Sequence, residues 1–132
     1  MKITLLCIIF FGAIFSSNGQ SRQNLSSVIE EVSTHWKKDS NSCNGYRRTV
    51  ELKFLNCQID SITKSQLFAK LGKPNQISKF YSGNTDKRYV GYVYYTYKDD
   101  CPKITLDGHA IQFVFDESES TLLEITEIDY CG

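Results

Sequence analysis

The sequence has few residues of the types that interrupt helices and strands, with two prolines and eight glycines among 132 residues. It shows no internal repeat and no low-complexity linker, which excludes a repeat array and a disordered tail. It is too short for an enzyme with separate cofactor and substrate domains. Fifteen basic and fifteen acidic side chains leave no net charge, so the charge balance gives no reason to expect nucleic-acid binding. These absences leave one globular domain.

The sequence motifs that indicate catalysis or metal binding are also missing. There is no glycine-rich phosphate loop and no strand-turn-helix nucleophile elbow. The cysteines beyond residue 20 are separated by 13, 43 and 29 intervening residues, which is wider than the spacing of zinc ligand pairs. His35 is expected to have a packing or helix-surface role and His109 to face solvent from a strand. We therefore predict no catalytic residue, no metal and no cofactor.

The first residues have the pattern of a signal peptide. Lys2 precedes an apolar run over 3–15, which suits a signal peptide and is too short to span a bilayer as a stable helix. Ser17 and Gly19 fit the small-x-small rule, which places the cleavage site before Gln20. We expect a signal peptide over 1–19, a single domain over 20–132, a periplasmic or secreted location and no stable membrane insertion after cleavage. An uncleaved anchor is the alternative.

Cys7 falls inside the apolar run, and four cysteines remain after cleavage. The residues before Cys7 do not resemble a lipid-attachment site, so we assign it to the signal peptide. An even number of cysteines in an exported chain predicts two disulfides, with three possible connectivities. One disulfide with free thiols is the alternative. The four cysteines are Cys43, Cys57, Cys101 and Cys131.

The first half of the mature chain has helical patterns. Two segments open with Ser or Thr followed three residues later by Glu or Gln, which is the spacing of a capping box. A third segment, 47–57, fits either a strand or a helix. The helix preferred there rests on the family resemblance given below. The two capped segments are 27–38, with Ser27 and Glu30, and 63–71, with Thr63 and Gln66, ending at Gly72 ahead of Pro74.

The second half is rich in alternating β-branched and aromatic residues, which predicts strands joined by turns. The period slips between Ile125 and Ile128, where we expect a β-bulge. Helices followed by strands predict an α+β fold, with two or three N-terminal helices packed on one face of a three- to four-stranded antiparallel meander. The predicted strands are 76–81, 88–98, 109–116 and 121–130.

This meander suggests a disulfide pattern. The end of strand 88–98 and the end of strand 121–130 lie at the same edge of the sheet, which brings Cys101 near Cys131. Cys43 and Cys57 would then close the loop and helix between them.

Tyrosines are concentrated in one predicted strand, with five in the nine residues 89–97. Successive strand residues face opposite ways, so Tyr92 and Tyr94 share one face while Tyr89, Tyr95 and Tyr97 share the other. The helices can cover only one face, so tyrosines on the other lie at or near solvent. Tyrosine is enriched at protein interfaces, although it also fits an ordinary sheet surface. The candidate partner-binding residues are Tyr89, Tyr92, Tyr94 and Tyr97.

The charges are divided unevenly along the chain. Residues 20–98 carry thirteen basic and six acidic side chains, whereas residues 99–132 carry one basic and nine acidic side chains. In one compact domain these two parts can neutralise each other across the fold. The alternative is a dipolar surface that orients a protein partner.

Three segments follow a pattern seen in small bacterial envelope proteins: 67–75 (LFAKLGKPN), 92–95 (YVYY) and 111–116 (IQFVFD). Together they resemble the SmpA/OmlA type, over roughly residues 60–128. That family pairs two helices with a three-stranded antiparallel sheet and shares an architecture with beta-lactamase inhibitor proteins. Residues 36–47 also look like exported proteins of bacterial envelopes. The resemblance implies binding and not catalysis, but the lipid-bearing cysteine of the family is missing after the signal peptide, which puts outer-membrane anchoring in doubt.

These observations favour an exported, non-enzymatic protein-binding module of the bacterial envelope, whose partner is another protein. One alternative is a periplasmic inhibitor or immunity protein that blocks a secreted enzyme. Another is a small hydrolase, which would need a deep cavity that gathers His35 or His109 with a carboxylate.

Overall fold

The structure, a computed structural model, describes residues 21–98, 101, 108–118 and 120–130. The predicted signal peptide, most of the connection 99–107 and Cys131 lie outside these residues. Three helices precede four strands along the chain. They are α1 (Leu25–Lys38), α2 (Tyr46–Leu55), α3 (Lys64–Leu71), β1 (Gln76–Tyr81), β2 (Arg88–Lys98), β3 (Gly108–Asp116) and β4 (Leu122–Tyr130).

The four strands form one sheet in the order β1-β2-β3-β4, and each neighbouring pair is antiparallel. This is a meander in which consecutive strands pair, and the helices all come before it in the chain. The predicted α+β fold is therefore confirmed, with three helices and four strands. The segment that fitted either a helix or a strand forms α2.

The helices differ in how they begin. At α3 the predicted capping box is present, because the Thr63 hydroxyl accepts from the Gln66 backbone N–H and the Gln66 side chain accepts from the Thr63 N–H. At α1 the predicted box is wrong, since the helix begins at Leu25. Leu25 is fully buried and its N–H donates to the Gln58 carbonyl at 2.8 Å. A contact with a distant segment thus sets where α1 begins.

Aromatic side chains join all three helices to one face of the sheet. The Trp36 ring of α1 lies 6.0 Å from Tyr94, the Phe54 ring of α2 lies 5.7 Å from Phe113, and the Phe68 ring of α3 lies 4.9 Å from Tyr92, each between centroids and in edge-to-face geometry. Such pairs add specific geometry to the burial of apolar area. We call the opposite face of the sheet, which is turned away from the helices, the outer face.

The bulge predicted in the last strand lies elsewhere. The register of β3 and β4 shifts between Val114 and Phe115, opposite Leu123, and is regular from Ile125 to Ile128. Ile125 pairs with Phe113 of the core, whereas Ile128 pairs with a residue of the outer face. The two isoleucines face opposite ways, so the slip in the hydrophobic pattern comes from a strand with apolar residues on both faces.

The structure contains a disulfide between Cys43 and Cys101, whose Cα atoms are 5.5 Å apart. The predicted pairs, Cys43 with Cys57 and Cys101 with Cys131, are therefore wrong. Helix α2, which lies between Cys43 and Cys57, has ten residues and a length of about 15 Å, whereas the Cα atoms of a disulfide are within about 7 Å of each other. Cys57 is a free thiol. The Cys43–Cys101 disulfide is compatible with an exported protein.

Within the described part of the chain, none of the helices combines the length and the apolar character needed to cross a membrane.

Candidate functional site

Two of the four candidate tyrosines belong to the core. Tyr94 is fully buried and Tyr92 is 6% exposed. The Tyr94 hydroxyl donates to the Gly72 carbonyl at 2.9 Å, and burial raises the pKa of this phenol. Tyr94 packs under the helices and is not available to a partner, so the partner-binding role predicted for Tyr94 is wrong. Tyr92 also packs there, but its remaining exposed surface lines a cavity beside β1.

Tyr97 does not share a face with Tyr89, because a bulge interrupts β2. Tyr95 pairs with Ala110 and Tyr97 with the adjacent His109, which leaves Thr96 as the extra residue. The Tyr97 and His109 rings lie 6.1 Å apart on the helix side of the sheet. The bulge thus shifts the alternation by one residue, and the prediction that Tyr97 shares a face with Tyr89 and Tyr95 is wrong, although Tyr97 is 39% exposed. Tyr89 and Tyr95 remain on the outer face.

The outer face is apolar near its middle and aromatic towards β1. Val93 and Val114 of this face are each 3% exposed. Phe80 of β1 pairs with Tyr89 of β2, and their rings stack with centroids 5.6 Å apart. Tyr95 is half-buried and has the Lys98 ammonium 5.4 Å from its ring. The aromatic surface of this face is therefore concentrated where β1 meets β2.

Strand β1 is at the edge of the sheet and carries exposed apolar side chains on both faces. Ile77 is 56% exposed and Tyr81 is 68% exposed on the helix side, while Phe80 is 38% exposed on the outer face. An exposed edge strand presents unpaired backbone groups to another chain. We call Ile77, Phe80, Tyr81 and Tyr89 the β1 patch.

A cavity of about 230 Å³ opens beside the β1 patch, on the helix side of the sheet. Ile77 forms part of its wall, and Val90, Tyr92 and Phe115 provide apolar surface. Lysines and carboxylates also line it, and Lys79 forms an ion pair with Glu117 at 3.3 Å. The cavity can take an apolar side chain while charged groups stay in contact with water.

The beginning of β1 is fixed to the core by Asn75. Its N–H donates to the Val93 carbonyl at 2.8 Å, and its side-chain oxygen accepts from the Tyr95 N–H at 2.9 Å and from the Arg47 guanidinium at 3.2 Å. Arg47 is itself 2% exposed. The edge strand therefore starts from a buried polar network, which gives the β1 patch a defined position.

The two histidines have different surroundings. His35 is exposed, with its ring 5.2 Å from that of Tyr46. His109 lies on the helix side of β3 next to two carboxylates of β4, because it pairs with Asp129 and is diagonal to Glu127. This cluster was missed from the sequence, since no short spacing connects residue 109 to residues 127 and 129. Once the register of β3 and β4 is known, the alternation of side chains along the two strands places the three residues on one face.

Ion pairs join the basic first part of the chain to the acidic second part. Lys79 pairs with Glu117, and Arg48 lies 3.8 Å from Glu127. These contacts fit the interpretation in which the two parts neutralise each other across the fold.

Comparison with known proteins adds no relative: no family model, no curated protein and no solved structure matches this chain.

Proposed function

We propose that this protein is an exported, non-enzymatic module of the bacterial envelope that binds another protein through the β1 side of its sheet. The observation that carries the proposal is an edge strand with exposed apolar side chains on both faces. A sheet that packs against helices normally exposes only its other face to solvent. In β1, by contrast, Ile77 and Tyr81 expose apolar side chains on the helix side and Phe80 exposes its ring on the outer face. A partner strand added alongside β1 would cover both sets at once.

The partner that fits this surface is a protein with an extended apolar segment. Backbone hydrogen bonds along β1 would supply affinity, and pockets for alternate side chains would supply specificity. The cavity beside Ile77 offers such a pocket on the helix side. The stacked rings of Phe80 and Tyr89 offer an aromatic surface on the outer face, and aromatic residues are enriched among the residues that dominate binding energy.

The arrangement of the histidines supports a binding protein over a hydrolase. His35 is exposed and contacts an aromatic ring. The carboxylates beside His109 are themselves exposed, with side chains 44% and 69% accessible for Glu127 and Asp129. A general acid or base is usually tuned by burial in an apolar cavity. A secreted enzyme as the partner would make the protein an inhibitor, which is a narrower form of the same proposal.

Site-specific photocrosslinking in the cells that make the protein tests the binding surface. A photoreactive side chain is placed at Phe80 or Tyr81, and in a matched control at Leu52. Leu52 is on α2 and is 67% exposed, close to the 68% of Tyr81. We expect the positions on β1 to form a defined crosslinked product that Leu52 does not form. Equal products from all three positions would contradict the proposal.

Affinity for the crosslinked protein, once identified and purified, gives the second test. Phe80→Ala should weaken binding by about 2 kcal/mol if Phe80 dominates the interface. Leu52→Ala should leave the affinity unchanged. Both variants should have a free energy of unfolding close to that of the parent, because both side chains are exposed. Equal affinities of the two variants would show that the β1 patch is not the binding surface.

A further inference from the structure

We propose that His109, Glu127 and Asp129 form a binding site for a divalent transition-metal ion, with Zn²⁺ as the representative ion. This inference is independent of the proposed function. The three residues lie on the helix side of the sheet, on the paired strands β3 and β4, near the start of β3 and the end of β4. One ligand atom from each side chain can be chosen so that all three lie within 4.8 Å of one another.

Strand geometry places the three ligands together. Glu127 and Asp129 are two residues apart on β4, so their side chains project from the same face. His109 is the register partner of Asp129 and a diagonal neighbour of Glu127. Side chains at directly opposite and diagonal positions are close enough to interact. The site is therefore built on two paired strands, which hold its ligands at fixed positions along the backbone.

The surroundings of the His109 ring give an independent reason to expect a ligand. Its Nδ1 atom is shielded from solvent, touches the Asp129 carboxylate and lies 3.7 Å from Glu127 Oε1. Neither contact has the geometry of a hydrogen bond, and Nδ1 makes none with the other residues that the structure describes. A buried ring nitrogen without a hydrogen bond is unusual. A metal ion between the nitrogen and the two carboxylates would satisfy all three groups.

The donor set suits a transition metal. Imidazole nitrogen binds zinc, copper and nickel, and carboxylate oxygen completes mixed sites of this kind. Ligand atoms about 2.1 Å from a tetrahedral ion are about 3.4 Å apart, close to the 3.7 Å between Nδ1 and the Glu127 oxygen. The Asp129 carboxylate, which touches Nδ1, would rotate away from the ring to leave room for the ion. Three protein ligands leave a fourth position for water.

One neighbouring cation opposes the site. Arg48 Nη1 lies 3.8 Å from Glu127 Oε1, but its shorter contact, 2.6 Å, is with Glu51. A metal ion would therefore replace the weaker contact of Arg48 and leave the stronger one intact. Two carboxylates and one guanidinium, which pairs more closely with Glu51, leave the cluster net negative when the imidazole is neutral, which is the form that binds metal.

Zinc titration by calorimetry tests the site in the purified, oxidised protein. All proteins carry Cys57→Ser, which removes the free thiol of the described chain as a competing ligand. His109→Asn is compared with His35→Asn, a matched control at the exposed histidine. We expect saturable Zn²⁺ binding that His35→Asn leaves unchanged and that His109→Asn weakens at least about tenfold. Equal binding by the two variants, or no saturable binding by the parent, would overturn the proposal.

A direct measurement avoids any effect of substitution on folding. The imidazole ¹⁵N resonances of the unsubstituted protein are followed as Zn²⁺ is added. The Nδ1 resonance of His109 should move with the binding isotherm, while both nitrogens of His35 stay in place. Movement of the His35 nitrogens alone, or of neither histidine, would contradict the site.

Discussion

The guanidinium of Arg47 lies 4.5 Å from the centroid of the Trp36 ring, and both side chains are buried. The same guanidinium donates to the Trp36 and Tyr95 carbonyls and to the Asn75 side chain, each at 3.2 Å. Burial lowers the pKa of Arg47 to about 10, so it remains charged at neutral pH. One side chain thus connects α1, α2, β2 and Asn75, the residue that precedes β1.

Asp39 completes this network from the end of α1. Its carboxylate is fully buried and accepts from the backbone N–H groups of Asn44 and Arg47, each at 3.0 Å. The Arg47 N–H belongs to the first turn of α2, where a negative charge is favourable. Asp39 therefore supplies the cap that Gly45, the residue before α2, has no side chain to provide.

Arg47→Lys should destabilise the protein by about 2 kcal/mol or more, because an ammonium cannot match the planar fork of donors or stack on Trp36 in the same way. Arg48→Lys is the matched control, since Arg48 is next in the chain and its side chain is 44% exposed. That control should change stability by less than about 0.5 kcal/mol. Urea unfolding measures both. Similar effects of the two substitutions would contradict the importance of the buried network.

The disulfide leads to a second prediction. Cys43 and Cys101 are separated by 58 positions in the sequence, for which the chain-entropy estimate gives a stabilisation of about 4 kcal/mol. Replacing both by Ser should lower the free energy of unfolding by about that amount, while Cys57→Ser should have a small effect. Peptide mapping without reduction should recover Cys43 joined to Cys101. A Cys43–Cys57 peptide would overturn the connectivity.

Much of the fold could be predicted from the sequence because its signals are local. The capping box at Thr63 and the stop at Gly72 define α3 within ten residues of chain. The meander follows from alternating strands and short connections. By contrast, α1 begins at Leu25 because of a contact with Gln58, more than thirty residues away. The disulfide likewise depends on how far α2 carries the chain, so its partner cannot be obtained from spacing alone.

The candidate sites required information that the sequence does not carry locally. The alternation of tyrosines in β2 gives no sign of the bulge at Thr96, which redirects Tyr97. The β1 patch depends on β1 being an edge strand, which is known only from the strand order. The His109 cluster depends on the register of β3 and β4. In each case the sequence shows which types of residue are present, but it does not show which residues lie next to one another in the fold.

Gly91 gives a third prediction, because the Gln112 side chain lies across it on the outer face. A Cβ atom at position 91 would be 2.2 Å from Nε2 and 2.9 Å from Cγ of Gln112. Gly91→Ala should therefore displace Gln112 and destabilise the protein by about 1–3 kcal/mol. The double variant Gly91→Ala/Gln112→Ala should recover most of the loss. A double variant as unstable as Gly91→Ala alone would show that the backbone, and not Gln112, requires glycine.

Cys57 gives a fourth prediction, which concerns pH. Burial raises the pKa of its thiol, Asp60 nearby adds to this effect, and Cys57 Sγ lies 3.0 Å from the Phe54 carbonyl oxygen. The thiolate is the nucleophile in alkylation. Iodoacetamide should therefore modify Cys57 in the native protein more slowly than in the unfolded protein near pH 8, and the native rate should rise at higher pH than that of an ordinary thiol. Mass spectrometry of the Cys57 peptide measures the rate at this residue alone.

The same shift predicts how stability depends on pH. A thiol with a raised pKa in the folded state binds more protons there than in the unfolded chain at alkaline pH. Its contribution to stability is present below the ordinary thiol pKa and is lost as the pH rises through the raised value. The free energy of unfolding of the parent should therefore fall more than that of Cys57→Ser between neutral and alkaline pH. Parallel pH profiles for the two proteins would mean that Cys57 titrates as it does in the unfolded chain.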